Sequence, residues 1–230
     1  MAPFKKAFQK AKKVTQSITA PLGSKAAKGT NAPNNIAKKG FHYKQDSVDM
    51  KDVGGMLKES YNKDAANVGA YNVDKQLSSK HVKVYHDPVS NKVVVAHKGS
   101  STLQDWKENA KYLIGMESGK NWNKSKNAQK EAEKKYKGAH LTTIGHSKGA
   151  SHAEKFGKNG EVITLNKPVS VKDLLTKTVG KHQTDYKSSR DPVSMLRGLQ
   201  GGNKEKVIKS KTFNPLIEHG TSVLNRLKNN

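Results

Sequence analysis

Cysteine is absent from the 230 residues, which excludes disulfides, thiol nucleophiles and cysteine-ligated zinc and suits a reducing compartment. No apolar run approaches the length of a membrane-spanning helix, and the N-terminus lacks the uninterrupted apolar stretch of a secretory signal. The expected location is therefore the cytoplasm or a membrane surface, or a virion. Aromatic residues make up only 6% of the chain and the lysines are not interleaved with them, which argues against base-stacking recognition of single strands. None of the nine histidines forms an H-x-x-x-H or H-E-x-x-H pair, so neither a metal nor a cofactor is expected. Acidic residues are scarce too: 19 Asp and Glu stand against 43 Lys and Arg, a net charge of +24. Such a surface attracts polyanions, whether nucleic acid or acidic lipid headgroups, and says nothing about fold. The plain alternative is a lysine bias of the source genome, since the lysines are spread along the whole chain.

Residues 1–40 stand apart, with lysines from Lys5 to Lys39 and no acidic residue. Phe4, Ala7, Phe8, Ala11, Val14 and Ile18 recur at helical spacing with lysines on the other face, the pattern of a short basic amphipathic helix for an anionic membrane or a partner. Ala20-Pro21-Leu22-Gly23-Ser24 breaks it, and residues 29–35 read as linker. A disordered solubilising tail remains open as the other reading. A mitochondrial presequence fits less well, because those favour arginine and this segment has none.

Folded sequence is expected over 41–230, as one domain. Residues 48–61 have helical spacing around an internal Gly-Gly. Val82-Lys83-Val84-Tyr85 alternates as a half-exposed strand, a turn follows at Asp87-Pro88, and Val93-Val94-Val95-Ala96 is a continuous buried strand. A helix with Trp106 and Tyr112, then a long polar helix over about 123–137, lead to a strand at Thr142-Thr143-Ile144. Further strands are expected at Glu161 to Leu165, around His182 to Tyr186 and at Val207-Ile208. A short helix is expected over 171–178, a glycine-rich loop over 198–203, and a last helix opening at His219-Gly220. Strands alternating with helices imply an α/β fold, a mostly parallel sheet covered on both faces.

The chemistry gathers at Gly145-His146-Ser147-Lys148-Gly149, between a β-branched run and helix-compatible sequence. In that strand-turn-helix context G-x-S-x-G places a serine on a sharp elbow, with glycines where a Cβ would collide with neighbouring backbone. The helix start aims N–H groups at the same spot. Ser147 then needs a base and a carboxylate, in chain order Ser, Asp/Glu, His. Asp191 follows a candidate strand, and His219 is the only histidine after it. Asp173, Asp185 and His182 are the competitors.

Beyond the elbow, the chain reads V-V-V-A-H-K-G-S-S-T-L-Q-D-W-K-E-N over 93–109, Leu165-Asn166-Lys167-Pro168, Asp191-Pro192-Val193 and a late histidine, in that order. Over about 82–227 this resembles the class 3 lipase family, the group containing fungal triacylglycerol lipases. The resemblance implies an α/β-hydrolase fold and hydrolysis of lipid acyl esters. It implies a Ser147–Asp191–His219 triad and an oxyanion hole from Ser100, with the backbone N–H of Lys148. It also implies a lid helix around Leu103 and Trp106. Lys98 stands where the family has arginine and Lys148 where leucine is usual, so the G-H-S-K-G form is closer to a bacterial lipase-like branch. The expected partner is a lipid ester, with an anionic membrane surface engaged by the basic arm. The rival reading is a catalytically silent basic protein of the same fold, binding nucleic acid or a large assembly such as a virion.

Overall fold

Runs of β-branched residues mark the strands at 93–95, 142–144 and 162–164, and helices alternate with them. A computed structural model describes residues 47–100, 120–170, 182–194 and 204–229, together with Asp173 and Gly180. Seven strands form one sheet, in sequence order across it. They are β1 (Asn72–Val73), β2 (Val82–Asp87), β3 (Lys92–His97), β4 (His140–His146), β5 (Glu161–Leu165), β6 (Gln183–Ser188) and β7 (Lys204–Ile208). β1, β2 and β3 pair antiparallel, and from β3 to β7 every pairing is parallel. The described helices are α1 (Met50–Glu59), α2 (Lys120–Lys135), α3 (Lys148–Phe156) and α4 (Pro215–His219), followed by a 3₁₀ helix, Thr221–Asn229.

Successive side chains of β3 explain why its sequence is apolar throughout. Val94 and Ala96 enter a core with Val53, Met56 and Leu57 of α1 and with Val223, Leu224 and Leu227 of the 3₁₀ helix. Val93 and Val95 point the other way, into a second core with Val82, Val84 and Ala132 of α2. A strand covered on both faces reads as a continuous apolar run rather than an alternation. The fold is α/β, a mostly parallel sheet with helices on both faces.

Gly54-Gly55 weakens α1 as an isolated helix but allows its packing. A Cβ on Gly54 would lie 2.8 Å from the Leu224 carbonyl oxygen, and one on Gly55 2.8 Å from Val68 Cγ1. The polar helix α2 begins three residues earlier than its sequence pattern indicates. It buries Ser125, Gln129 and Ala132, one stripe at helical spacing.

One expectation changes and one element is added. Strand β2 is not half exposed: all of Val82, Lys83, Val84 and Tyr85 are buried. The Lys83 stem is covered while its ammonium donates to the Lys63 carbonyl at 2.8 Å, so a lysine in an alternating pattern here does not mark a solvent face. The helix expected to open at His219-Gly220 is present as the 3₁₀ helix Thr221–Asn229, but a further helix, α4, precedes it. Pro215 occupies the first turn of α4, and the Asn214 side chain caps the Leu216 N–H at 3.0 Å, so α4 starts upstream and ends at His219. The 3₁₀ helix then carries Val223, Leu224 and Leu227 into the core.

The basic arm over 1–40, the segment with Leu103, Trp106 and Tyr112, the helix expected over 171–178 (Asp173 apart) and the loop over 198–203 lie outside the described residues. Among the described residues no helix is long and apolar enough to cross a membrane.

Candidate active site

Between the end of β4 at His146 and the start of α3 at Lys148, a single residue turns the chain. Ser147 does so at φ 54° and ψ −128°, a left-handed conformation uncommon for a residue with a side chain. Its neighbours make this fit. A Cβ on Gly145 would sit 2.2 Å from the Gly149 carbonyl oxygen, and one on Gly149 2.1 Å from that of His97. Both obstacles are backbone and cannot rotate away. The Ser147 hydroxyl makes no capping bond to α3, which leaves it for another partner.

That partner is His219. Ser147 Oγ lies 2.7 Å from His219 Nε2, and His219 Nδ1 lies 2.8 Å from Asp191 Oδ1. All three residues are buried. A carboxylate only accepts, so Nδ1 carries the proton and the Nε2 lone pair faces the serine hydroxyl. Asp191 is itself held, with Oδ1 accepting the Val193 N–H and Oδ2 the Ser194 N–H, each at 3.1 Å. The competing residues are engaged elsewhere. Asp173 bonds Lys155 and Ser170, Asp185 bonds Thr164 and Gln183, and His182 is exposed ahead of β6.

Ser147, Asp191 and His219 meet beyond the carboxyl ends of the parallel strands, where α/β sheets open their crevices. The turn after β3 lies against the elbow, because a Cβ on Gly99 would come 3.1 Å from Ser147 Cβ and 2.4 Å from the Tyr61 hydroxyl. Ser100 is the next residue of that turn and is partly buried. Lys148 opens α3, so its N–H is among those for which a helix has no internal acceptor. Leu103 and Trp106 fall outside the described residues.

Four further residues hold the histidine in place, and sequence reasoning assigned none of them a role. His146 donates from Nε2 to the His219 carbonyl at 2.8 Å, while its Nδ1 accepts the Tyr61 hydroxyl at 2.7 Å. The Tyr61 oxygen in turn accepts the Gly99 N–H, and burial raises the Tyr61 phenol well above its ordinary value. Burial first, then the nearby His219, push the His146 imidazole down to about 3. A neutral His146 adds no positive charge beside the His219 ring. Asn166, at φ 49°, donates to the Glu218 carbonyl at 2.8 Å and accepts the Ser188 N–H at 2.8 Å.

Glu218 points away from the histidine into a buried polar knot. Its carboxylate accepts the Lys211 and Thr212 N–H groups at 3.0 Å each, Arg226 Nη2 at 2.9 Å and the Ser188 hydroxyl. Burial alone would raise this carboxyl, but those donors outweigh it and hold it down to about 2. The sequence carried a faint signal for two of the four. His146 lies inside the elbow pentapeptide, and Asn166 lies in the Leu165-Asn166-Lys167-Pro168 turn. Tyr61 and Glu218 gave none, because their partners are distant in sequence.

No protein-family model matches the chain, and no curated protein sequence does. Among solved structures it is similar to the lipase of Rhizomucor miehei in its propeptide complex, at 13% identity and a TM-score of 0.48, covering 84% of this chain and 78% of that one. It is also similar to the Lip2 lipase of Yarrowia lipolytica, at 12% identity and a TM-score of 0.45, covering 74% of this chain and 80% of that one. A triacylglycerol lipase of Penicillium expansum matches at 14% identity and a TM-score of 0.45, with 70% of this chain and 78% of that one covered. At these identities and scores the likeness assigns no residue role and no substrate to this chain.

Proposed function

We propose that the protein is a serine esterase that hydrolyses acyl esters of lipids, with phospholipids at an anionic membrane surface as the substrate class. The observation that carries this reading is the unbroken bond chain from Ser147 Oγ through His219 to Asp191, at 2.7 and 2.8 Å, on a strained elbow whose serine has no capping duty. His219 Nε2 takes the hydroxyl proton as Ser147 Oγ bonds to the ester carbonyl carbon. The carbonyl electron pair moves onto its oxygen, where the N–H groups of Ser100 and Lys148 stabilise it. Collapse of this intermediate breaks the bond to the alcohol, which leaves with the proton from His219. Water then repeats the sequence on the acyl-serine and releases the acid. Asp191 keeps the His219 tautomer and stabilises the imidazolium formed in each half. Leu103 and Trp106 would cover the bound acyl chain. The preference for an anionic surface rests on the net charge of +24 and on the acid-free arm over 1–40.

The test is hydrolysis of a short-chain chromogenic ester and of mixed phospholipid vesicles by the wild type and by Ser147→Ala. The serine mechanism requires turnover to fall by on the order of a thousandfold or more in the variant. Absence of turnover in folded wild type would favour the silent basic protein, whose binding to nucleic acid should weaken steeply with salt.

A further inference from the structure

Among the described residues five large apolar side chains are exposed, and four of them lie between Val207 and Ile217: Val207 (52%), Phe213 (84%), Leu216 (52%) and Ile217 (46%). Three of these fall within the six residues that lead directly to His219. Scattered exposed apolar residues need no explanation, but such a concentration in one short stretch marks an interaction surface. The residues around it are basic. Lys204, Lys206, Lys209 and Lys211 are all exposed, and Arg190, next to Asp191, stacks its guanidinium 3.7 Å from the centre of the Phe213 ring. The acidic residues of the same stretch are already engaged. Glu205 pairs with Lys187 at 2.7 Å, and Glu218 is buried against Arg226.

We propose that the segment over 209–217, with Arg190, is a docking face for an anionic lipid bilayer, seating Phe213, Leu216 and Ile217 among the acyl chains. This rests on the reading that lipid esters are the substrate, and it names the surface that brings them to Ser147. The chemistry selects the occupant. Lysine and arginine around exposed Phe, Leu and Ile call for a partner presenting negative charge outside and hydrocarbon beneath. Nucleic acid offers the charge, but gives no reason for Leu216 and Ile217. A second copy of the chain, pairing along β7, the last strand of the sheet among the described residues, would bring its Lys204 and Lys206 against their own kind, and edge lysines oppose such pairing. The placement also serves the chemistry. Helix α4 carries Leu216, Ile217 and His219, with Phe213 just ahead of its cap, so a membrane seated on this face lies beside the triad. The residues of the face, Arg190 and 209–217, are not those of the basic arm over 1–40.

The experiment is co-sedimentation of the full chain, carrying Ser147→Ala to keep the lipid intact, with two kinds of vesicle. One is phosphatidylcholine alone; the other is phosphatidylcholine with phosphatidylglycerol in equal parts. Binding is expected to the second and not the first. Phe213→Ser/Leu216→Ser/Ile217→Ser should partition about tenfold or more weaker, which corresponds to ~1.4 kcal/mol. Lys209→Gln/Lys211→Gln, at two exposed sites, should also weaken binding and guards against a triple variant that misfolds. The inference is overturned if both variants sediment as the parent does. It is equally overturned if the triple variant alone abolishes a dimer seen by size exclusion, or if a DNA duplex binds every version equally and displaces the vesicles. The outcomes separate from those of the esterase reading. Vesicle binding lost in the variants with no ester cleavage by the wild type would sink the esterase and keep the docking face. Ester cleavage with unaltered vesicle binding would do the reverse.

Discussion

Ser147 and His219 arrive at the same point by opposite means. Ser147 is placed by its own sequence neighbours, since Gly145 and Gly149 are the only residues small enough for the backbone contacts of the elbow. His219 is placed from far away. Its ring is held by Asp191, its carbonyl by His146, and the residue before it by Asn166 and the Glu218 knot. The first arrangement is steric and has no intermediate setting. The second is spread over hydrogen bonds from β4, β5, β6 and the segment after β7, so it should loosen by degrees.

The sharpest way to break the histidine side is Asp191→Asn. The expected loss is on the order of 10³–10⁴ in kcat, because the imidazole is no longer held in the tautomer that faces Ser147. Initial rates on a short-chain ester would show it, and a loss of less than about tenfold would mean that other groups orient the ring. On the elbow side, Gly149→Ala forces a Cβ to 2.1 Å from the His97 carbonyl oxygen. A loss of about 3 kcal/mol of stability is expected, read as a lowered urea midpoint. An unchanged midpoint would show that the elbow can relax, which removes half of the contrast.

Acid should loosen both sides together. Burial pushes the imidazoles of His146, His97 and His152 down to about 3, 4 and 3, from an ordinary value of 6.5. Below pH 6.5 the unfolded chain therefore binds protons that the folded chain refuses, and stability falls as pH falls. Glu218 adds a second decline, because its carboxyl is depressed from 4.5 to about 2 and stabilises the fold only while ionised. The urea midpoint should fall below about pH 6.5 and fall again below 4.5. His146→Gln should make the first decline shallower, and an unaltered slope would dissociate His146 from it.

The mildest intervention is Tyr61→Phe, which removes the hydroxyl joining the Gly99 turn to His146. About 1 kcal/mol of stability and a several-fold drop in kcat are expected, with KM little changed. A larger effect on KM than on kcat would place Tyr61 on substrate binding instead.

How far the sequence could be read follows the same contrast. The strand at Glu161 to Leu165 and the buried run ending at His97 were legible because the parallel interior strands carry their burial in adjacent residues. So was the elbow, whose strain is relieved by glycines two positions either side. Strand β2 was misjudged as half exposed, since the acceptor for Lys83 comes from Lys63, twenty residues away. Helix α4 was missed because Pro215 and Asn214 signal it only once the chain is known to turn there. Chain order brought Asp191 and His219 forward as candidates, but order carries no distance.

By itself the sequence determined the α/β layering, the elbow at Ser147 and the excess of positive charge, because each depends on residue types within a few positions of one another. Only the tertiary structure decided that His219 is buried against Ser147 and that Tyr61, His146, Asn166 and Glu218 hold it. It alone left Phe213, Leu216 and Ile217 uncovered. Those outcomes depend on which distant segments meet across the ends of the strands, and a hydrogen bond between residues 61 and 146, or 166 and 218, leaves no periodic trace in the chain.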